Sequence, residues 1–112
     1  MGTRGGYLGE LEQIVMLAVA RFDGDAYGMS IRREIEARTG RNVAIGAVYS
    51  TLERLEDKGL VHTVRPRTEA DRDGRARKFY ALTRRGVDAL DAAAQMQTRM
   101  WAGLRLRRAG RP

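Results

Sequence analysis

The sequence predicts a mainly α-helical fold with one small two-stranded β-sheet. Three observations lead to this prediction. Apolar residues recur at helical spacing in four segments of the 112-residue chain. Two short segments with β-type patterning lie between the third and fourth of these helices, separated by a charged stretch. Turn and cap residues, mainly glycines and one threonine, stand at the predicted boundaries.

The first helix is predicted from about Leu8 or Gly9 to Phe22. Its apolar face consists of Leu8, Leu11, Val15, Ala18 and Phe22, widened by Ile14 and Leu17. A helix this apolar is expected at the centre of the core. Glu10 and Glu12 are interpreted as cap and surface acids.

The second helix is predicted from Tyr27 to about Thr39, after the turn signal Asp23-Gly24-Asp25. Ile31 and Ile35 are expected to point inward, and Gly40 is expected to end the helix.

The third helix is predicted from about Ala44 to Lys58, with Gly59 at its C-terminal end. Its buried stripe is Ile45, Val48, Leu52 and Leu55. The opposite face carries small and hydrogen-bonding side chains at its N-terminal end. They are Gly46, Ala47, Tyr49, Ser50, Glu53 and Arg54. Such a face suits insertion into the major groove of DNA.

Two strands follow, Leu60 to Arg67 and Lys78 to Leu82, on either side of a polar stretch that contains Gly74. In the second strand Tyr80 and Leu82 alternate with Phe79 and Ala81, which is the two-residue period of a strand. Helix, glycine, strand, basic loop and strand is the order of a winged helix-turn-helix. The complete fold prediction is therefore a winged helix-turn-helix, mainly α with a small β-wing, plus a long C-terminal helix.

Thr83 is a suitable N-cap for that last helix, which is predicted from about Arg84 to Leu106. A helix of about 20 residues spans roughly 30 Å, which is more than a small three-helix core covers. Its apolar surface therefore predicts a twofold dimer. The predicted interface residues are Leu90, Ala93, Met96, Gln97, Met100, Trp101 and Leu104. The alternative is that the segment from Met96 to Leu104 folds back on its own domain.

The predicted organisation has four parts. They are a flexible arm (1–7), a winged-helix DNA-binding domain (8–83), a C-terminal dimerisation helix (84–106) and a basic tail (107–112).

The net charge of +7 is unevenly distributed along the chain. Residues 61–86 carry +5 and residues 99–112 carry another +5, whereas residues 1–60 carry −1. Basic charge confined to the wing and the tail is typical of a surface that binds a polyanion. The alternative is a solubility effect in an arginine-rich composition, since 19 of the 21 basic residues are arginine.

Composition also excludes several classes. The chain has no cysteine, so disulfides and thiolate metal sites are excluded, and the composition fits a reducing cytoplasm. With one histidine, no glycine-rich phosphate loop and no clustered carboxylates, an enzyme is not expected, and neither is a cofactor or metal. The longest apolar run, Ile14 to Ala20, is too short to span a bilayer, and no signal peptide is expected.

Three blocks of residues resemble the PadR family of bacterial transcription regulators. They are Ala26-Tyr27-Gly28, then Gly46-x-x-Tyr49-x-x-Leu52-x-Arg54-Leu55-x-x-x-Gly59-Leu60-Val61, and finally Arg77-Lys78-Phe79-Tyr80-x-Leu82-Thr83-x-x-Gly86. The resemblance covers roughly residues 8 to 90. The resemblance implies DNA binding and dimerisation through the C-terminal helix.

Some small PadR-like proteins bind planar aromatic compounds near the dimer centre. The resemblance thus makes Trp101 and Met96 candidate contacts for a small aromatic effector. Ordinary packing in the dimer core is the favoured interpretation of these two residues.

The chain is therefore predicted to be a homodimeric regulator, most simply a repressor, that binds a dyad-symmetric operator in double-stranded DNA. The candidate DNA-binding residues are Ala47, Tyr49, Ser50, Thr51, Arg54, Arg75, Arg77 and Lys78. For Tyr49 the alternative is packing against the second helix, for Arg54 a helix ion pair with Glu53 or Asp57, and for the wing a solvated loop.

Other classes stay open. They are a protein-interaction winged helix without specific DNA binding, an RNA-binding domain, and a MarR-like regulator, although MarR-type chains usually carry additional helices at both ends. A cytoplasmic location, nucleoid-associated when bound to DNA, is expected.

Overall fold

The computed structural model describes residues 7–65 and 77–106. It contains helices α1 (Glu10–Phe22), α2 (Gly28–Thr39) and α3 (Ile45–Asp57), strands β1 (Val61–Val64) and β2 (Phe79–Leu82), and helix α4 (Arg84–Trp101). The predicted class, mainly α-helical with a small β-wing, is confirmed. Most of the predicted arm, most of the wing loop (residues 66–76) and the predicted tail lie outside the described residues.

Helix α1 lies at the centre of the core, in contact with α2, α3, β2 and the start of α4. Its predicted apolar face is only partly correct. Met16 and Val19, which that face omits, are fully buried beside Val15, whereas Leu17 is 52% exposed. A helix packed on several sides buries a wider arc than one amphipathic stripe, and Leu17 lies outside that arc.

The connection between α2 and α3 is fixed by side-chain bonds. The Ser30 hydroxyl caps the start of α2 by accepting from the backbone amide of Tyr27 at 2.9 Å. Gly40 ends α2 with φ of 76°. Arg32 then donates to the carbonyl of Val43 at 2.9 Å and to the amide oxygen of Asn42 at 2.7 Å. These bonds hold the connector against α2 and thereby set the position of α3.

Helix α3 buries Val48, Leu52 and Leu55 completely, as the stripe predicts, whereas Ile45, the first residue of the stripe, is half-buried. Its end is also as predicted, because Gly59 has a φ of 77°, a conformation that glycine adopts without steric cost. The amide of Leu60 then donates to the carbonyl of Leu55 at 2.9 Å, which closes the helix and turns the chain into β1.

Strands β1 and β2 pair antiparallel, with Val61 opposite Leu82 and Val64 opposite Phe79. The amide of Tyr80 also donates to the carbonyl of Ala26 at 2.8 Å, so β2 is joined to the start of α2. The predicted alternation in β2 is not observed at its start, because Phe79 and Tyr80 are both buried. Both faces of this strand are covered, and the ring of Phe79 packs edge-on against Tyr27.

Helix α4 begins as predicted, since the Thr83 hydroxyl accepts from the backbone amide of Gly86 at 2.9 Å. Gly86 packs so closely on the backbone of Leu60 that a methyl group there would overlap the Leu60 carbonyl oxygen. This contact anchors the first turn of α4 to the end of α3.

The end of α4 differs from the prediction. The helix stops at Trp101 rather than Leu106, and Gly103 follows with φ of 74°. Glycine in this left-handed conformation is typical of helix ends. The predicted helix was too long because apolar residues continue past Gly103 in the sequence. In the described residues, no helix is both long and apolar enough to cross a membrane.

Candidate nucleic-acid interface

The solvent-facing side of α3 carries three of the five predicted DNA-contact side chains of this helix. Tyr49 is 48% exposed and Ser50 and Arg54 are exposed, while Ala47 is half-buried against the core. The Ser50 hydroxyl donates to the carbonyl of Gly46 at 2.8 Å, so its oxygen lone pairs are left to accept bonds from outside.

Thr51 is fully buried, and its predicted DNA contact is corrected. Only 1% of Thr51 is exposed, since it lies on the buried side of α3 beside Leu52. Its hydroxyl accepts a bond from the Arg54 guanidinium at 3.2 Å. Thr51 therefore positions Arg54 within the helix and has no surface with which to meet a base.

Tyr49 lies across the start of α2. Its ring approaches Gly28 so closely that a β-carbon on Gly28 would lie 2.5 Å from two ring carbons and 2.6 Å from the hydroxyl oxygen. Tyr49 thus packs against the second helix, which was the alternative to a DNA contact. About half of the residue nevertheless remains accessible to solvent. Packing against Gly28 therefore leaves part of the Tyr49 side chain available for DNA contact.

The base of the wing carries two basic side chains next to this contact. The guanidinium of Arg77 lies over the ring of Tyr27, 4.4 Å from its centroid, in a cation–π contact. Lys78 is exposed beside it. Arg75, the third predicted wing contact, lies outside the described residues.

These side chains surround a cleft of about 340 Å³ between the first turn of α2, α3 and the start of β2, here called the Gly28 cleft. Its lining residues are Tyr27, Gly28, Met29, Tyr49, Arg77 and Lys78. The sequence placed Tyr49, Arg77 and Lys78 among the DNA contacts but gave Tyr27 and Gly28 no role. Their appearance in a family block was the only signal for them.

Arg54 is held by a partner that the sequence did not predict. Its guanidinium lies 3.6 Å from the carboxylate of Glu12 on α1, and the Lys58 ammonium lies 2.8 Å from the same carboxylate. Glu12 also accepts from the backbone amide of Gly9 at 2.9 Å. The prediction that Glu12 is a cap residue is confirmed by this bond to the N-cap amide. The prediction of a surface position is wrong, since Glu12 is only 7% exposed.

Burial alone would raise the pKa of Glu12. The hydrogen bonds from Lys58 and from the Gly9 amide, together with the charges of Lys58 and Arg54, outweigh burial and hold the pKa below its ordinary value. Glu12 is therefore ionised near neutral pH and ties α1 to the C-terminal half of α3. Its position three residues after Gly9 fits its capping role, but the local sequence does not indicate its burial or its pairing with Lys58.

Tyr80 lies behind α3 and is buried. Burial raises the pKa of its phenol, and the nearby Glu56 raises it further. Tyr80 is thus a neutral hydroxyl that adds no charge to the interface. Among the described residues, no group of three histidine, aspartate or glutamate side chains could hold a metal ion.

The predicted interface on α4 is largely exposed beyond its first three turns. Leu90 and Ala93 are half-buried, Gln97 is exposed, and the large apolar residues are uncovered. The exposed fractions are 44% for Met96, 74% for Met100, 51% for Trp101 and 53% for Leu104. The predicted alternative, in which this segment folds back on its own domain, does not agree with these exposures.

A second apolar surface, which the sequence did not reveal, lies between α1 and α2. It is a groove of about 410 Å³ lined mainly by Ile14, Leu17, Ala18, Ile35 and the side chains of Arg21 and Arg38. Leu17 is exposed because it lines this groove. The sequence assigned that residue to the core because periodicity does not indicate which part of an apolar face is covered.

Comparison with known proteins gives a consistent match. A family model described as "Transcriptional regulator PadR-like family" matches residues 16–92. The structure of RosR from H. salinarum is similar, with a TM-score of 0.67 at 26% identity over 88% of this chain and 81% of that one. A PadR family transcription regulator from Clostridium difficile gives a TM-score of 0.69 at 26% identity, covering 84% and 93% of the two chains.

A PadR-like transcriptional regulator from Bacillus cereus shares the fold, with a TM-score of 0.65 at 21% identity over 82% of this chain and 84% of that one. No curated protein sequence matches the chain.

Proposed function

The chain belongs to the PadR-like family of transcriptional regulators, and from this premise we propose that it is a homodimeric repressor that binds a dyad-symmetric operator in double-stranded DNA. Members of this family are DNA-binding regulators and not enzymes. The operator, the dimer and the direction of regulation are the proposed parts.

The observation that carries the proposal is the surface formed by α3 and the base of the wing. Tyr49, Ser50 and Arg54 are exposed on α3, and Arg77 and Lys78 line the cleft next to Tyr49. Small and polar side chains at the N-terminal end of a helix suit base edges in the major groove, and adjacent cations suit the backbone phosphates. Arg75 is proposed as a further wing contact on the basis of the sequence alone.

The proposed dimer is supported by the exposed apolar side chains at the end of α4. Met96, Met100, Trp101 and Leu104 together form an apolar surface on one short segment, and such a surface on a small domain marks an interaction site. The α1–α2 groove supplies more apolar surface for a second copy. We assign Trp101 and Met96 to packing between the copies, with a small aromatic effector as the alternative role.

Two copies related by a twofold axis would place two α3 helices in successive major grooves. The half-sites should then be centred about 10 to 10.5 bp apart, or at a multiple of this spacing. A cytoplasmic location, on the nucleoid when the protein is bound, follows from this proposed role.

The experiment is a gel-shift titration with the DNA immediately upstream of the protein's own gene, beside a scrambled duplex, at several salt concentrations. The proposal predicts saturable binding that prefers the upstream duplex, weakens with salt, and involves two chains per site. Equal weak binding to both duplexes would mean that the operator does not lie in the DNA immediately upstream of the gene. No binding to either duplex at low salt would contradict the proposal and favour a protein-interaction domain.

A further inference from the structure

The Gly28 cleft raises the question of why a glycine occupies the first residue of α2. Gly28 is absent from the glycines with positive φ, so its backbone conformation is open to any residue. Glycine within a helix costs about 0.5 to 1 kcal/mol relative to alanine. No backbone requirement offsets this cost, so the space that the missing side chain leaves is the remaining structural reason for Gly28.

That space is used by Tyr49. A β-carbon on Gly28 would lie 2.5 Å from the Tyr49 ring, a separation that real β-carbons do not adopt. The end of a tyrosine side chain can swing away, whereas the helix backbone cannot. A larger residue at position 28 would therefore displace the Tyr49 ring and leave the fold intact.

The walls of the cleft are positioned by aromatic contacts. Arg77 is stacked on Tyr27, and the Tyr27 ring is held by an edge contact with Phe79, with ring centroids 5.5 Å apart. The guanidinium therefore has a defined place before any ligand arrives, so less side-chain entropy is lost on binding than for a free arginine.

The chemistry of the cleft selects an anion. Among the residues that the structure describes, its lining contains two cations and two tyrosine phenols and includes no carboxylate. Lysine, arginine and tyrosine are among the side chains that hydrogen-bond the phosphates of DNA. The cleft also lies next to the exposed side of α3, where the DNA backbone passes if that helix enters the major groove.

We propose that the Gly28 cleft holds one backbone phosphate of the bound duplex, contacted by the Tyr49 hydroxyl and the Lys78 ammonium. Gly28 is a positioning residue that keeps Tyr49 in place for this contact. The inference rests on the proposed function, since it requires that the duplex bind to this face.

The test combines four variants, Gly28→Ala, Tyr49→Phe, Tyr49→Ala and the double variant Gly28→Ala/Tyr49→Ala. Dissociation constants are measured by fluorescence anisotropy on the upstream duplex and on the scrambled duplex. A hydrogen bond to a charged group contributes about 1.5 to 3 kcal/mol, so Tyr49→Phe and Gly28→Ala should each weaken binding about tenfold or more. Because a phosphate carries no sequence information, the loss should be the same factor on both duplexes.

The double variant separates positioning from a general effect on folding. Once Tyr49 is alanine there is no ring to displace, so adding Gly28→Ala should leave the affinity unchanged, and it should not lower the melting temperature, because a helix favours alanine over glycine. An equal loss from Gly28→Ala in both backgrounds would overturn the positioning role. Wild-type affinity in Tyr49→Phe, or a loss confined to the upstream duplex, would overturn the phosphate contact.

A failure of the proposed function gives a different result. In that case wild-type protein itself binds neither duplex at low salt, and both proposals are overturned together. A further variant, Lys78→Met, should reduce the dependence of log affinity on log salt by about one, as expected when a single phosphate contact is lost. If this dependence on salt is unchanged, Lys78 does not contact the phosphate.

Discussion

Replacing Glu12 by glutamine should destabilise the protein, although the two side chains have nearly the same shape. Glutamine can still accept the bond from the Gly9 amide, which Glu12 now accepts at 2.9 Å. What it loses is the charge that pairs with Lys58 at 2.8 Å and with Arg54 at 3.6 Å. These two partners belong to the C-terminal part of α3, so the change loosens the contact between α1 and α3.

The expected loss follows from the geometry of the two pairs. A hydrogen bond to a charged group contributes about 1.5 to 3 kcal/mol and a neutral one about 0.5 to 1.5 kcal/mol, so the Lys58 bond should lose about 1 kcal/mol. The Arg54 side chain is 55% exposed, and a pair that accessible to solvent contributes at most about 1 kcal/mol. The sum is about 1 to 2 kcal/mol, or roughly 4 to 8 °C in Tm for a domain of this size.

Urea denaturation at a fixed protein concentration measures this difference. Glu10→Gln is the matched control, since Glu10 lies on the same helix but its side chain is 81% exposed and pairs with Arg41 across 3.3 Å at the surface. The control should change the free energy of unfolding by less than about 0.5 kcal/mol. Glu12→Gln should change it by several times that amount.

The pH dependence gives an independent check. The folded pKa of Glu12 is lowered from 4.5, so its stabilisation is fully present above pH 4.5 and is lost as the pH falls through the lowered pKa. Wild type and Glu12→Gln should then approach the same unfolding midpoint in acid. Equal midpoints at neutral pH, or a difference that persists unchanged after the carboxyl is protonated, would refute this reasoning.

Three further changes test other parts of the structure. Gly86→Ala would force a methyl group onto the carbonyl oxygen of Leu60, so unfolding experiments should show a loss of about 2 to 4 kcal/mol, and an unchanged midpoint would contradict the close contact. Arg77→Ala should weaken binding to all duplexes similarly and reduce the salt slope by about one, whereas an unaltered slope would mean that Arg77 does not meet a phosphate. Trp101→Asp should convert the proposed dimer to a monomer in sedimentation equilibrium without loss of helical circular dichroism, and a dimer that survives would place the interface elsewhere.

The elements of the fold could be predicted because local signals agreed with tertiary packing. The stripe Val48, Leu52 and Leu55 is the buried side of α3, and Gly59 ends that helix as the sequence indicated. The errors in predicted burial occur in helices that are packed on several sides. Periodicity could not identify Leu17 as an exposed residue, because it does not show how far neighbouring elements cover an apolar helix.

In the candidate site, too, the residues could be predicted from local sequence but the contacts between distant elements could not. Tyr49 and Lys78 could be chosen from residue type and position, but the contact between Gly28 and Tyr49 joins two helices and has no local signature. The buried Glu12 and its partner Lys58 are 46 residues apart in sequence, so no helical spacing rule could pair them. Thr51 was misassigned because neighbouring positions on a helix differ by about 100° and only the packed structure shows where the buried arc ends.

Helix α3 and the base of the wing form the proposed DNA-binding surface. The most direct test is to add a duplex to isotope-labelled protein and to follow the backbone amide resonances by NMR. We expect the amides of the N-terminal half of α3, of Gly28 and Met29, and of Lys78 to shift first, while those of the α1–α2 groove are unaffected. Shifts confined to the C-terminal helix, or no shift at low salt, would contradict it.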